Sequence, residues 1–144
     1  MIEKINYKNK LYALIINNKY KRKKGINFFT PNNLTQQIGY MNHKKGYVIN
    51  PHIHKERLTK IIMTTETIII LKGLVRIDFY DTKQKYLFSK KITSGDIIFL
   101  MHGGHGFEIL KDTKMIEVKQ GPFKKDKDKK KFLPIDEKKL RYKK

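Results

Sequence analysis

The chain has 144 residues, 39% of them hydrophobic, which suits one domain with a modest core. It contains no cysteine, so disulfides and thiolate metal sites are excluded. Lys and Arg number 33 against 13 Asp and Glu, a formal net charge of +20.

That surplus invites a nucleic-acid reading, but its distribution argues against one. Residues 1–25 hold eight basic and one acidic residue, and residues 124–144 hold eleven and four, so 14 of the 20 excess charges lie at the two ends. Only Arg22, Arg57, Arg76 and Arg141 are Arg and the other 29 basic residues are Lys, whereas proteins that grip phosphates or read bases with forked geometry favour Arg. The expectation is attraction to small anionic ligands, not to nucleic acid. No apolar run is long enough to span a bilayer, and residues 1–10 lack the apolar stretch of a signal peptide, so a cytoplasmic protein is expected.

In chain order, residues 1–25 read as a basic N-terminal segment able to supply an edge strand, with the apolar run 11–16 inside it. Residues 36–41 and 46–55 read as strands. Residues 60–71 form a run rich in β-branched Ile and Thr, and Gly73 is expected to break it. Residues 74–80 alternate, with Val75, Ile77 and Phe79 on one face and Arg76, Asp78 and Tyr80 on the other. Further short strands are expected at 86–91, 97–101, 107–110 and 115–119. No part of 26–123 shows helical periodicity, and many short strands with frequent turns indicate a sandwich or barrel. The tail, 124–144, begins with a Lys-rich run expected to be partly mobile, with Phe132, Leu133, Ile135 and Leu140 as anchors.

The chemistry concentrates around His52-Ile53-His54. On a strand the two histidines would point to one face and Ile53 to the other. Two convergent imidazoles suit a metal ion or a substrate proton.

The surrounding residues resemble the cupin superfamily. Gly46, five residues, His52, one residue and His54 match the opening of its first motif, and Glu66, six residues and Gly73 match its ending. Eleven residues separate His54 from Glu66, a longer insertion than the family has. Gly95-Asp96 opens the second motif. Met101 stands in place of the usual Pro, Gly103 falls on the expected Gly and His105 comes one residue early. The resemblance covers about residues 34–121 and implies an all-β, cupin-type jelly-roll barrel over 26–123. It also implies one divalent metal ion on His52, His54, Glu66 and His105, with His102 in reserve at the rim.

Within the superfamily, His52-Ile53-His54-Lys55 is also similar to isomerases and epimerases of nucleotide-linked sugars in surface-polysaccharide synthesis. That likeness implies His52 and His54 as catalytic proton carriers. Arg76, Tyr80, Lys119 and Glu117 would then bind substrate, the last two sharing one strand face. Three functions stay open: this proton-transfer enzyme, a metal-dependent dioxygenase or lyase, and a non-catalytic sugar- or metal-binding module. A homodimer is expected, because small barrels expose strand edges.

Overall fold

The structure is a computed structural model that describes residues 1–21, 24–124 and 128–143. It is all-β. Its strands are β1 (Ile2–Tyr7), β2 (Lys10–Ile16), β3 (Gly25–Phe28), β4 (Gly39–Asn42), β5 (Glu66–Tyr80), β6 (Tyr86–Thr93), β7 (Ile97–Leu100) and β8 (Gly104–Lys119). The chain divides into two compact units, Met1–Tyr20 with Met63–Lys144, and Lys21–Ile62. No helix among the described residues is long and apolar enough to cross a membrane.

The first unit is a single antiparallel sheet in the order β1-β2-β7-β5-β6, with β8 pairing β5. It curls strongly into a half-barrel, consistent with a jelly-roll barrel. β1 and β2 form a hairpin whose loop residues, Lys8 and Asn9, have φ of 46° and 59°. Two positive φ values in a two-residue loop match the twist of antiparallel strands. β1 and β6 are the two ends of the strand order, and a Lys90–Glu3 ion pair at 2.7 Å joins them across the curl.

β5 is the strand on which the sheet turns. Its first half pairs β7, its second half pairs β6, and β8 runs along both halves. The expected break at Gly73 is instead a bulged bend inside one 15-residue strand. The two short strands expected at 107–110 and 115–119 are likewise one 16-residue strand. The pattern breaks in β5 and β8 face each other: a Cβ on Gly73 would stand 2.2 Å from Thr113 Oγ1 and 2.5 Å from the Asp112 carbonyl, and Gly73 has φ of 108°. Only glycine fits that conformation at that separation.

The bulge also shifts the parity of β5 by one residue. Ile68 and Ile70 before it, and Val75, Ile77 and Phe79 after it, all join one buried cluster with Ile5, Tyr12, Ile15, Ile92, Ile98 and Leu100. Without the extra residue, one half of β5 would turn its apolar side chains to the outer face.

The strand expected over 60–71 begins only at Glu66, and residues 46–55 form no strand. β-branched residues favour a strand only where a partner ladder and a buried face receive them, and 60–64 have neither: Ile61, Ile62 and Met63 are exposed. Pro51 removes a ladder donor from the His segment as well.

The second unit holds the β3–β4 hairpin. Thr30 is buried, and its hydroxyl donates to Gln37 Oε1 at 2.7 Å, while Gln37 Nε2 donates to the carbonyls of Pro31 and Leu34. Ile26, Phe28 and Met41 are more than half exposed.

Gly73→Ala is expected to cost more than about 2 kcal/mol, from a disfavoured φ together with a backbone clash. Thermal unfolding should register this as a fall in Tm of roughly 6 °C or more.

Candidate functional site

The inner face of the curled sheet carries an ionic cluster at the Leu100 end of β7. Glu66 is the first residue of β5, and its Cα partners are Leu100 on β7 and Lys119 on β8. Directly paired residues share a face, so Glu66 and Lys119 lie on the core side with Leu100. Glu117, opposite Ile68, shares that face. His105 is opposite Phe79 and shares it as well.

Four expected site residues therefore line one surface, and two of them touch. His105 Nε2 donates to Glu66 Oε2 at 2.9 Å. The other Glu66 oxygen faces the Lys129 ammonium at 3.2 Å. Lys129 also stands 3.8 Å from Glu117 Oε1, and Lys119 pairs with Asp128 at 3.6 Å.

Glu66 keeps only 8% of its side chain exposed. Burial alone would raise its pKa, but the hydrogen bond from His105, followed by the charges of His105 and Lys129, lowers it from 4.5 to about 2. An ionised Glu66 requires a donor at His105 Nε2. In the neutral ring, the proton then sits on Nε2 and Nδ1 becomes the acceptor. The His105 ring is steadied edge-on by Phe107, with centroids 5.5 Å apart.

His52 and His54 lie in the second unit, outside any strand, and both are exposed. Their rings meet edge-on with centroids 5.0 Å apart, and His52 Nδ1 donates to the Asn50 carbonyl at 2.9 Å. The strand alternation expected to align them is absent, and the rings meet through a local contact outside any strand. His102 packs edge-on against Tyr12 in the turn after β7, and burial and nearby Lys10 hold its pKa down.

A metal needs a different donor set from the one in the sheet unit. Glu66 and His105 are bonded to each other, and the Lys129 ammonium takes the position on the second carboxylate oxygen where a cation would bind. Among the described residues, no group of three or more His, Cys, Asp or Glu is placed to hold a metal ion. These residues do not fit the expected metal centre.

Arg76 and Tyr80, expected as substrate contacts, are committed to partners within the protein. Arg76 is 4% exposed and Asp78 is 3% exposed. The guanidinium makes a two-pronged contact with Asp78 and reaches Glu108 at 2.5 Å. Ser89 donates to Asp78 Oδ1, and Tyr86 bonds Ser89. The C-terminal segment covers this outer face of β5. Tyr80 Oη accepts from Ile135 N–H, Phe132 packs edge-on against Tyr80, and Arg141 and Lys143 exchange backbone bonds with Ser89. Of the expected anchors, Phe132 and Ile135 are half-buried and Leu133 is exposed. The strand-face reading of Arg76, Asp78 and Tyr80 was correct in parity, but the sequence carries no mark that the tail folds over that face. Lys129 was missed for the same reason, being one Lys in a Lys-rich run.

Comparison with protein families, with curated proteins and with solved structures finds no match.

Two measurements test this electrostatics. Glu66 is held below its unfolded pKa, so its stabilisation is complete above pH 4.5 and is lost as pH falls toward 2. Acid unfolding should therefore show up to about 3 kcal/mol lost in that window, and Glu66→Gln should flatten the curve there. In the buried pair, Asp78→Ala should cost about 3 kcal/mol by leaving Arg76 uncompensated, and Arg76→Met added to it should recover part of the loss in urea unfolding.

Proposed function

We propose that the chain is a small-molecule enzyme that transfers a proton through His105, with Glu66 fixing the ring tautomer and balancing the charge of the imidazolium. The observation that carries this reading is the 2.9 Å bond from His105 Nε2 to a buried, ionised Glu66. A carboxylate behind an imidazole leaves Nδ1 as the acceptor that can take a substrate proton. His105 remains 25% exposed on its side chain, which leaves room for a substrate to approach.

The substrate class comes from the cupin resemblance: a nucleotide-linked or phosphorylated keto-sugar, isomerised or epimerised by removing the proton beside its carbonyl. Three carboxylates and two lysines nearly cancel around His105, which suits uncharged hydroxyls at the reacting ring. The chain's surplus of +20 favours an anionic substituent held outside that cluster. The reading includes a cytoplasmic homodimer. Among the described residues, β8 is strand-paired along one edge only over 16 residues, and a second copy would cover the other.

The test is hydrogen exchange. Thymidine and uridine diphosphate keto-sugars incubated with the protein in deuterated water should take up deuterium at the carbon next to the carbonyl, read by NMR. His105→Ala should slow uptake by about 100-fold, and Glu66→Gln by less. Exchange lost in the His52→Ala/His54→Ala double variant but kept in His105→Ala would move the role to the other unit. No uptake from any sugar of the panel would end the isomerase reading.

A further inference from the structure

The β3–β4 hairpin of the second unit has its polarity reversed. An antiparallel sheet with one solvated face usually turns its apolar side chains inward and its polar ones outward. Here Ile26 pairs with Met41 and Phe28 with Gly39, so these residues share one face. Ile26, Phe28 and Met41 on that face are 53%, 61% and 60% exposed. Asn27 and Tyr40, paired on the opposite face, are half-buried. Gly39 leaves room for the Phe28 ring, because a Cβ there would stand 3.0 Å from Phe28 Cε1.

Polar bonds close the hairpin without using this face. Phe29 N–H donates to the Ile38 carbonyl at 2.9 Å, and Ile38 N–H donates to the Thr30 hydroxyl at 3.2 Å. Lysines border one end of the apolar face. Gly25 is the ladder partner of Asn42, so the chain enters β3 and leaves β4 at the same end. Lys24 precedes that pair and Lys44 and Lys45 follow it, all three exposed. Residues 21–62 hold nine basic residues and one acidic residue, Glu56, a surplus of eight positive charges.

We propose that this face attaches the protein to a membrane surface carrying anionic lipid headgroups. Ile26, Phe28 and Met41 enter the boundary of the acyl chains, and Lys24, Lys44 and Lys45 meet the lipid phosphates. Attachment of this kind grows with the apolar area that enters and with attraction to anionic lipid, and the hairpin supplies both. Lysine stems lie along apolar surface while the ammonium stays in the headgroup layer. A second copy fits this face less well, because it would set two surpluses of eight positive charges against each other. Nucleic acid also fits less well, because bases stack on aromatic rings and only Phe28 of the three apolar side chains is aromatic. The attachment is peripheral and does not depend on the chemistry of His105.

A chain carrying +20 adheres to anionic surfaces in many orientations, so the test reads the depth of one side chain. The full chain contains no tryptophan. Phe28→Trp therefore supplies a single fluorescent reporter on the face, and Leu133→Trp, at an 88% exposed position of the C-terminal segment, supplies one away from it. Each is mixed with phosphatidylcholine vesicles containing about one-third phosphatidylglycerol, with and without bromine on the acyl chains. The Phe28→Trp emission should shift to shorter wavelength and be quenched by the brominated chains, and the Leu133→Trp emission should not be quenched. In the Phe28→Trp chain, Ile26→Ser with Met41→Ser should weaken vesicle binding about tenfold, and Lys24→Ala with Lys44→Ala and Lys45→Ala should do the same. All these positions are exposed, and circular dichroism checks that the variants stay folded. His105→Ala should bind vesicles like the wild type, which separates this result from the fate of the isomerase reading. A Phe28→Trp reporter left unquenched while the chain floats with the vesicles would overturn the proposal. So would equal quenching of both reporters, or an Ile26→Ser/Met41→Ser variant that binds undiminished. A Phe28→Trp emission that answers to single-stranded oligothymidylate at lower concentration than to vesicles would overturn it too, and would give the face to nucleic acid.

Discussion

Everything in the first unit depends on β5 being shared. One strand gives hydrogen bonds to β7 in its first half, to β6 in its second half and to β8 throughout. Fully extended, the distance from Glu66 to Phe79 would be about 43 Å. His105 is the ladder partner of Phe79, yet its side chain touches Glu66. Both can hold only if the sheet rolls up. The Gly73 bulge permits the roll and shifts parity, so that both halves of β5 present apolar residues to the same interior.

The roll also makes a buried charge tolerable. An isolated carboxylate at 8% exposure would take up a proton instead of staying ionised. Glu66 stays ionised because the curl brings His105 to one oxygen and the C-terminal segment brings Lys129 to the other. The same segment continues to Tyr80 on the outer face of β5 and to Ser89 on β6, whose hydroxyl donates to Asp78. The second half of β5, from Val75 to Tyr80, is thus buried on both faces, by an apolar cluster within and by an ion-paired polar layer outside. Breaking either set of partners leaves a charge without compensation, which is why the expected effects of variants at Glu66 and Asp78 are large.

Much of this was legible residue by residue. The alternation of 74–80, the all-β class and the shared face of Glu117 and Lys119 follow from period-two patterning, while the candidacy of Glu66 and His105 is what the cupin resemblance implied. The β-rich run at 60–65 and the histidine segment at 46–55 read as strands on composition, yet neither found a ladder. Strand propensity is realised only by pairing, and pairing is not a local property. Gly73 and the polar Asp112-Thr113 pair each read as an interruption. Together they are one bend, visible only when the two strands lie side by side.

The sequence by itself determined the fold class, the faces of the strands and which residue types could carry acid–base chemistry, because these follow from side-chain alternation and intrinsic pKa. Tertiary structure decided which of them meet. It joined Glu66 to His105 across 38 intervening residues, placed a tail lysine on that carboxylate, and enclosed Arg76 and Tyr80 beneath the chain's last segment. The reason is physical: contact across a rolled sheet depends on curvature and register, and both arise from the pairing of distant strands.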